Sequence, residues 1–321
     1  MANLGLQVYD DANRTFSNTS GPPPGHDLRA LTFEEKLNDV PAPGRPKGCG
    51  GGTCGMDAND NPVCCSELAA GYKKATYDAG DVRFGQVWVD PATKRMTWFA
   101  WAGAAYLQTT VRDLFYDPVR QDLLMYPVPE MKTLRGGTPL GVLSGATVPP
   151  GQSGAVALFT GNTTTFDVEA TVALPSSGAA VEFNVLLLAS PAGYAANSSS
   201  GAMLNVNVGA AAAGSTARFV SISTLIGGRT RIQKSFWPSN LTTTNFTMPS
   251  APGGAPSSIE VRILVDDSMV EVFVAKGRGV ITQSLNSGGR GVYFLGGQQG
   301  PTQITRAAAW DMGWEPCAAS S

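Results

Sequence analysis

Short stretches of alternating apolar and polar residues, separated by turn-forming residues, recur along most of this sequence. The clearest is 166–174, where Phe, Val, Ala, Val and Leu alternate with Asp, Glu and Thr. Alternation with a period of two places every second side chain on one face, as in a strand whose sheet is covered on one side. The pattern predicts strands at 4–9, 82–89, 96–101, 105–115, 123–126, 166–174, 181–188, 202–208, 218–222, 259–265, 269–274, 279–285, 292–295 and 302–310.

Helical periods are scarce by comparison. One short helix is predicted at 32–37, where Thr32 can cap the first turn and Glu35 can complete a capping box. Many short strands with so little helix indicate an all-β chain, and the strands from 155 onward are typical of a β-sandwich. The segment 265–269 joins two of these strands as tightly as a hairpin turn does.

Charge and composition exclude several classes of function. The 321 residues include 23 basic and 25 acidic side chains, and only 15% are charged, so no basic surface is expected and nucleic acid is not a predicted partner. Apolar runs are shorter than the roughly 20 residues of a spanning helix, so no membrane association is predicted. A single histidine, His26, excludes zinc sites that need several imidazoles, and neither a metal nor a cofactor is predicted.

Signs of the cellular compartment conflict with one another. The first residues lack the charged region and apolar run of a signal peptide. Low charge and six N-glycosylation acceptor sequences nevertheless favour a secretory history, and the two observations together predict that an upstream piece is missing. The acceptor residues are Asn13, Asn18, Asn162, Asn197, Asn240 and Asn245.

Four cysteines lie close together in a Gly- and Pro-rich insertion, 17–70: Cys49, Cys54, Cys64 and Cys65. In a secretory protein, two disulfides would pin a loop that is too polar to form its own core. Free thiols and a zinc site are the alternatives, although the spacings match no common zinc knuckle. Cys317 is left without an evident partner.

Two groups of motifs go beyond architecture. The first comprises Tyr77-Asp78-Ala79-Gly80, Asp90-Pro91, Lys94-Arg95-Met96-Thr97-Trp98-Phe99-Ala100-Trp101, Leu107-Gln108-Thr109-Thr110-Val111-Arg112, Tyr126-Pro127-Val128, Glu130 and Leu134-Arg135. The second runs from Arg262 to Phe273 and continues with Gly277-Arg278, Val280-Ile281-Thr282 and Trp310-Asp311-Met312. Together they resemble the carboxy-terminal part of glycoside hydrolase family 32, which contains invertases, fructan hydrolases and fructosyltransferases.

The resemblance implies an incomplete five-bladed β-propeller, formed by the last blade and part of the fourth, followed by a β-sandwich. It divides the chain into a blade remnant (1–16), the insertion (17–70), the last blade and exit strand (71–135), a linker (136–154), the sandwich (155–313) and a tail (314–321).

The catalytic motifs of that family do not occur in this sequence. Retaining glycosidases need two carboxyl groups that flank the scissile bond, and the family supplies them from earlier blades in Trp-Met-Asn-Asp-Pro-Asn-Gly, Arg-Asp-Pro and Glu-Cys motifs. The segment 56–62 has similar letters in a different order and is interpreted as a polar turn. No catalytic residue is therefore assigned in this chain.

Several other residues invite a functional interpretation. Asp266, Asp267 and Glu271 are interpreted as structural, since a hairpin turn favours Asp and Glu271 is expected to pair with Arg262 or Arg278 across the sheet. Trp98 and Trp101 could stack on a sugar ring, but their odd spacing puts them on opposite strand faces, and core packing is the alternative interpretation.

The sequence thus predicts the carboxy-terminal portion of a β-fructofuranosidase-like enzyme that is catalytically incomplete by itself. The resemblance implies a sucrose or fructan substrate and, for the complete protein, a secreted, cell-wall or vacuolar location. A non-catalytic carbohydrate-binding sandwich and a structural extracellular protein are the alternatives. Nothing in the sequence separates invertase, fructan hydrolase and fructosyltransferase.

Overall fold

The structure is a computed structural model that describes most of the chain after residue 77. The described residues are 7–10, 15–18, 55–56, 62–63, 78, 80, 82–102, 107–117, 122–188, 201–211, 215–226, 241–248, 255–285 and 290–313. The helix predicted at 32–37, the five cysteines, His26 and the tail lie outside them. Within the described part of the chain, no helix is long and apolar enough to cross a membrane.

Seven strands form one sheet, called here the N-terminal sheet. Its order is β2-β1-β8-β6-β5, with β7 also pairing with β6 and β9 with β8. Its strands are β1 (Gln7–Asp10), β2 (Thr15–Asn18), β5 (Val82–Val89), β6 (Met96–Ala102), β7 (Leu107–Gln108), β8 (Arg112–Asp117) and β9 (Asp122–Pro127). A small antiparallel pair, β3 (Gly55–Met56) and β4 (Pro62–Val63), brackets the segment interpreted as a polar turn.

A β-sandwich follows, after a 3-10 helix at Pro129–Leu134. Sheet 1 has the order β10-β21-β12-β17-β18-β19, and sheet 2 has the order β11-β20-β13-β14-β15-β16. The strands are β10 (Gly141–Val148), β11 (Gly151–Phe159), β12 (Thr165–Ala173), β13 (Val181–Leu187), β14 (Ala202–Val208), β15 (Arg218–Ile226), β16 (Leu241–Met248), β17 (Ser258–Asp266), β18 (Met269–Val274), β19 (Gly279–Ser284), β20 (Val292–Gly296) and β21 (Thr302–Asp311). Within the described ranges the fold is nearly all β, and the prediction of a C-terminal sandwich is confirmed.

The main core lies between the two sheets of the sandwich. Alternate residues of β12 point into it, and Phe166 packs edge-to-face on Phe159 with ring centroids 5.3 Å apart. Such aromatic pairs stabilise a core beyond the apolar area that they bury. The alternation seen in the sequence thus identifies the inward faces of these strands.

Strand β18 is buried at all six positions, because both of its faces are covered. Val270, Val272 and Val274 face the main core, whereas Phe273 lies on the opposite face against Tyr126 of the N-terminal sheet, with ring centroids 5.8 Å apart. Sheet 1 therefore serves as the middle layer, between sheet 2 and the N-terminal sheet.

The stretch 136–154, expected to be a linker, contains β10 and the beginning of β11. Glycines and prolines hide the strand pattern there. Gly141 is required for the close approach of the backbone to Leu158, because a Cβ at residue 141 would lie 1.8 Å from the carbonyl oxygen of Leu158. β16 was also not predicted, since three successive threonines make it read as polar. Threonine is nonetheless a favourable strand residue.

One further expectation differs from the structure. The strand predicted at 105–115 is interrupted, because the backbone N–H of Thr110 donates to Glu271 rather than to a neighbouring strand. Strands β1 and β2 pair as a hairpin, and β1 also pairs with β8 through Val8 and Tyr116. Both strands therefore lie in the same sheet as β5–β9.

The tight hairpin predicted after Val265 is confirmed. Asp266 pairs with Met269, and Asp267 adopts the left-handed conformation (φ 43°) that a two-residue hairpin turn requires. A short polar residue tolerates this conformation better than other residues do. This turn fixes the register of β17 and β18 and hence the face on which Glu271 lies.

Gly277 provides a test of how closely the sandwich approaches the N-terminal sheet. Its φ is +85°, and a Cβ there would lie 2.1 Å from the carbonyl oxygen of Met125 in β9. We expect Gly277→Ala to lower the free energy of unfolding by at least about 1–2 kcal/mol, the cost of the left-handed conformation alone. Urea denaturation measures this. Gly137→Ala, which meets nothing within 4 Å, is the matched control and should leave stability nearly unchanged.

Candidate functional site at the interface of sheet and sandwich

A buried arginine lies at the centre of this interface. Arg112 begins β8, and its side chain is fully buried. Its Nη1 donates to Asp78 Oδ2 at 2.8 Å, whereas its Nε donates to Glu271 Oε2 at 3.1 Å and its Nη2 to the same oxygen. The Arg112 guanidinium thus joins Asp78, which precedes β5, to Glu271 of the sandwich. Such charge-assisted bonds are stronger than neutral hydrogen bonds.

Two threonines complete the hydrogen bonding of these carboxylates. Asp78 accepts from the Thr282 hydroxyl at 2.6 Å and from its backbone N–H at 2.9 Å. Glu271 accepts from the Thr110 backbone N–H at 2.7 Å and from its hydroxyl at 3.1 Å. All four carboxylate oxygens therefore have donors, as buried polar groups require.

Aromatic rings enclose the Arg112 guanidinium. The rings of Trp98 and Phe273 lie 5.0 and 4.9 Å from its central carbon, within the range of cation–π attraction. Burial opposes the charge, but Glu271 and Asp78 outweigh burial and raise the pKa of Arg112. We define this set of residues as the Arg112 cluster.

The partner predicted for Glu271 was wrong. Arg262 lies opposite Phe273 in the register of β17 and β18, and its Nη2 donates to Asp167 at 2.8 Å. The Arg278 side chain donates to the carbonyl oxygen of Ala275. Because the outer face of sheet 1 is covered by the N-terminal sheet, a residue from that layer, Arg112, reaches Glu271 instead.

A second group of charges joins the 3-10 helix to sheet 1. Arg135 follows that helix, and its Nε donates to Asp167 at 2.9 Å, while its guanidinium lies 3.9 Å from the centroid of the Trp310 ring. Glu169 contacts both Arg135 and Lys132. Burial raises the pKa of Glu169, but these two cations outweigh it and lower the pKa below its ordinary value.

A third group joins the N-terminal sheet to the 3-10 helix. Arg95 donates to Asp113 at 2.5 and 3.0 Å, and it also forms two hydrogen bonds with Glu130 of the 3-10 helix. The Arg95 hydrogen bond lowers the pKa of Glu130 to about 2. Burial outweighs Arg95 at Asp113 and raises the pKa of that carboxyl group.

A cleft of about 240 Å³ opens beside the Arg112 cluster, lined by Gln108, Thr109, Thr110, Leu264, Asp266, Met269 and Glu271. Both oxygens of Glu271 are occupied by donors from Arg112 and Thr110. Among the described lining residues, Asp266 is thus the one carboxylate left beside it, and the two-carboxylate arrangement of a retaining glycosidase is not formed.

The two tryptophans singled out in the sequence lie on opposite faces of β6. Trp98 packs with Met96 in a small apolar cluster and against Arg112, whereas the side chain of Trp101 is 48% exposed. A substrate contact by either remains a prediction. Among the described residues, no group of three or more His, Cys, Asp or Glu side chains is placed to hold a metal ion.

Two of the six glycosylation candidates have side chains that the structure describes, Asn162 and Asn245, and both are exposed. Asn18 lies in β2, while Asn13, Asn197 and Asn240 fall outside the described residues, as do Cys49, Cys54, Cys64 and Cys65. The modification and pairing of these residues stay predictions.

Asp78, Arg112 and Thr282 belong to the motifs seen in the sequence, but their mutual contact was not predicted. Asp167 was not recognised as a site residue. Its strand alternates, so Asp167 reads as a residue of the solvent-facing side, and the alternation does not show that a second layer covers that side.

The comparisons with known proteins agree with this architecture. Residues 130–288 match the family model described as glycosyl hydrolases family 32 C terminal. Fructan 1-exohydrolase IIa from Cichorium intybus is similar in structure, with a TM-score of 0.60 and 18% identity over 81% of this chain and 53% of that one. A variant of the same enzyme in complex with 1-kestose gives a TM-score of 0.59 at 19% identity, covering 80% and 52%.

Exo-inulinase from Aspergillus awamori is similar with a TM-score of 0.50 and 15% identity, covering 80% of this chain and 48% of that one. No curated protein matches the sequence. The chain spans about half the length of these solved structures. At such low identities the likeness establishes the fold alone.

Fold and interface together define a β-sandwich that is fixed to a second antiparallel sheet by buried ion pairs. More particularly, residues 130–288 form a C-terminal domain of glycosyl hydrolases family 32. The resemblance that the sequence motifs indicated is confirmed.

Replacing the central cation tests the Arg112 cluster. Arg112→Met leaves Asp78 and Glu271 buried without a cation, and we expect the free energy of unfolding to fall by about 3–5 kcal/mol. Lys132→Met removes the cation of an exposed pair with Glu169 and should cost less than about 1 kcal/mol. Urea denaturation of both variants at neutral pH makes the comparison. Equal losses would contradict a special role for the buried cluster.

The contact between Arg95 and Glu130 predicts a dependence on pH. The folded pKa of Glu130, about 2, lies below the ordinary value of 4.5, so its contribution is complete above about pH 4.5 and disappears as the pH falls toward 2. Glu130→Gln should therefore be less stable than the parent at pH 6, by under about 1 kcal/mol because the glutamate is largely exposed. The difference in stability between the parent and Glu130→Gln, measured by thermal denaturation, should vanish as the pH falls to about 2. A difference that stays constant with pH would contradict this prediction.

Proposed function

We propose that this chain is the C-terminal portion of a β-fructofuranosidase-like glycoside hydrolase, and that the complete enzyme hydrolyses glycosyl bonds of sucrose or fructans. The observation that carries the proposal is the family match over residues 130–288. Support comes from the similar exohydrolase, whose complex contains 1-kestose, and from the exo-inulinase. Their likeness to this chain concerns the fold, so the substrate is part of the proposal.

The N-terminal sheet is, in this proposal, the last blade of a β-propeller. Strand β5 is a terminal strand of that sheet, and two of its side chains are exposed, Val87 by 44% and Trp88 by 56%. Large apolar side chains on a terminal strand favour a surface that another element covers. A neighbouring blade of the complete propeller would cover it.

Catalysis would require residues that this chain does not supply. The family's nucleophile and acid/base motifs do not occur in the sequence, and Glu271 is saturated by Arg112 and Thr110. The role of the Arg112 cluster is then to hold the sandwich in a fixed position against the blade. Hydrolysis by two carboxylates needs no cofactor, and we propose a secreted, cell-wall or vacuolar location for the complete protein.

Activity measurements test this proposal directly. We expect the purified chain to release no fructose from sucrose or inulin, because it contributes neither a nucleophile nor a proton donor. Exo-inulinase from Aspergillus awamori, assayed in parallel, provides the positive control. Clear turnover by the chain would overturn catalytic incompleteness. Inulin binding without turnover, measured by calorimetry, would instead favour the non-catalytic carbohydrate-binding alternative.

A chimaera tests the family role separately. Residues 78–313 would replace the corresponding C-terminal half of the Cichorium intybus exohydrolase. This chimaera should release fructose from 1-kestose. A second chimaera carrying Arg112→Met should lose most of that activity together with its thermal stability. A folded first chimaera, with cooperative unfolding but no activity, would contradict the proposed role.

A further inference from the structure

Strand β16, the last strand in the order of sheet 2, carries a glycosylation acceptor sequence in an outward position. The sequence is Asn245-Phe246-Thr247. Phe246 is 4% exposed and belongs to the main core, so the alternation of the strand turns Asn245 and Thr247 outward, where both are exposed. The fold thus presents the acceptor amide and the hydroxyl residue on the same surface.

An exposed aromatic ring lies next to this acceptor. Phe219 of β15 is 55% exposed, whereas Val220 beside it is fully buried. In the register of β15 and β16, Phe219 lies opposite Thr247 and Ser221 lies opposite Asn245. Phe219 and Asn245 are therefore diagonal neighbours on one face, a separation of about 7–8 Å that long or aromatic side chains can span.

A row of polar side chains continues from Asn245 across the sheet. Ser221, Asn207 and Glu182 follow one another on β15, β14 and β13, each opposite the preceding residue. Asn205 of the adjacent row donates to both Glu182 and Asn184, at 3.0 and 2.9 Å. Amide, hydroxyl and carboxylate groups in such a row match the hydroxyl and acetamido groups of a sugar chain.

We propose that Asn245 carries an N-linked glycan whose first sugar packs on the Phe219 ring and whose next sugars follow this polar row. In the transfer, Asn245 Nδ2 bonds to C1 of the first N-acetylglucosamine of a lipid-pyrophosphate-linked oligosaccharide. The bond from C1 to the pyrophosphate oxygen breaks, the lipid pyrophosphate leaves with that electron pair, and the amide releases one proton.

The glycan would have two physical effects. It would cover a large apolar ring that otherwise faces water, and it would block edge-to-edge pairing at the last strand of sheet 2. Neither effect depends on glycosidase activity, so this inference shares with the proposed function only the passage through the secretory route.

The test uses the full chain secreted from a eukaryotic host behind a cleavable signal peptide. Peptide mass spectrometry after enzymatic deglycosylation should show Asn245 occupied. Thermal denaturation of Asn245→Gln should give a Tm about 2–4 °C lower than that of the parent. In a Phe219→Thr background, which keeps a strand-forming residue at an exposed position, the same substitution should shift the Tm by less than half as much.

Two controls separate the sugar from the substitution. Asn162→Gln removes the other acceptor that is exposed among the residues whose side chains the structure describes, and its effect on the Tm should not depend on residue 219. When both are produced without glycans in bacteria, the parent and the Asn245→Gln variant should have the same Tm. An unmodified Asn245 in the secreted protein would overturn the proposal, as would equal Tm losses in the Phe219 and Phe219→Thr backgrounds.

Discussion

The ion pair network around Arg112 is the interaction on which the rest of the structure depends. A fully buried guanidinium is strongly unfavourable unless it is paired, and the pairing here requires Asp78 from one part of the chain and Glu271 from the sandwich. Neither the N-terminal sheet nor the sandwich can bury these charges alone. The two therefore stabilise each other, and the close approach of Gly277 to Met125 follows from the same contact.

The family motifs in this part of the chain serve architecture. Arg95, Arg112 and Arg135 each join segments that are distant in the sequence, through Glu130, Glu271 and Asp167 respectively. Bidentate or stacked guanidinium groups suit such junctions, because their planar donors match carboxylates and aromatic faces. In the described residues, these motifs therefore identify a scaffold.

Much of the fold was predictable from local patterns. Strands such as β12 and β18 and the hairpin at Asp267 follow from alternation and turn chemistry, which act over a few residues. β10 and β16 were missed because glycine in one and threonine in the other mask the apolar signal. Of the site, the residues themselves were visible as motifs, but the partner of Glu271 was not, since register places Arg262 opposite Phe273.

The sequence by itself determined most of the strands, their inward faces and the family that the sandwich resembles, because these depend on short-range periodicity and on motif order. Only the tertiary structure decided that the outer face of sheet 1 is also buried. Glu271 reads as the solvent-facing residue of an alternating strand, yet it is 1% exposed beneath the N-terminal sheet. The packing of one layer on another depends on residues that are distant in the sequence. A period of two along one strand does not indicate what covers the second face of that strand.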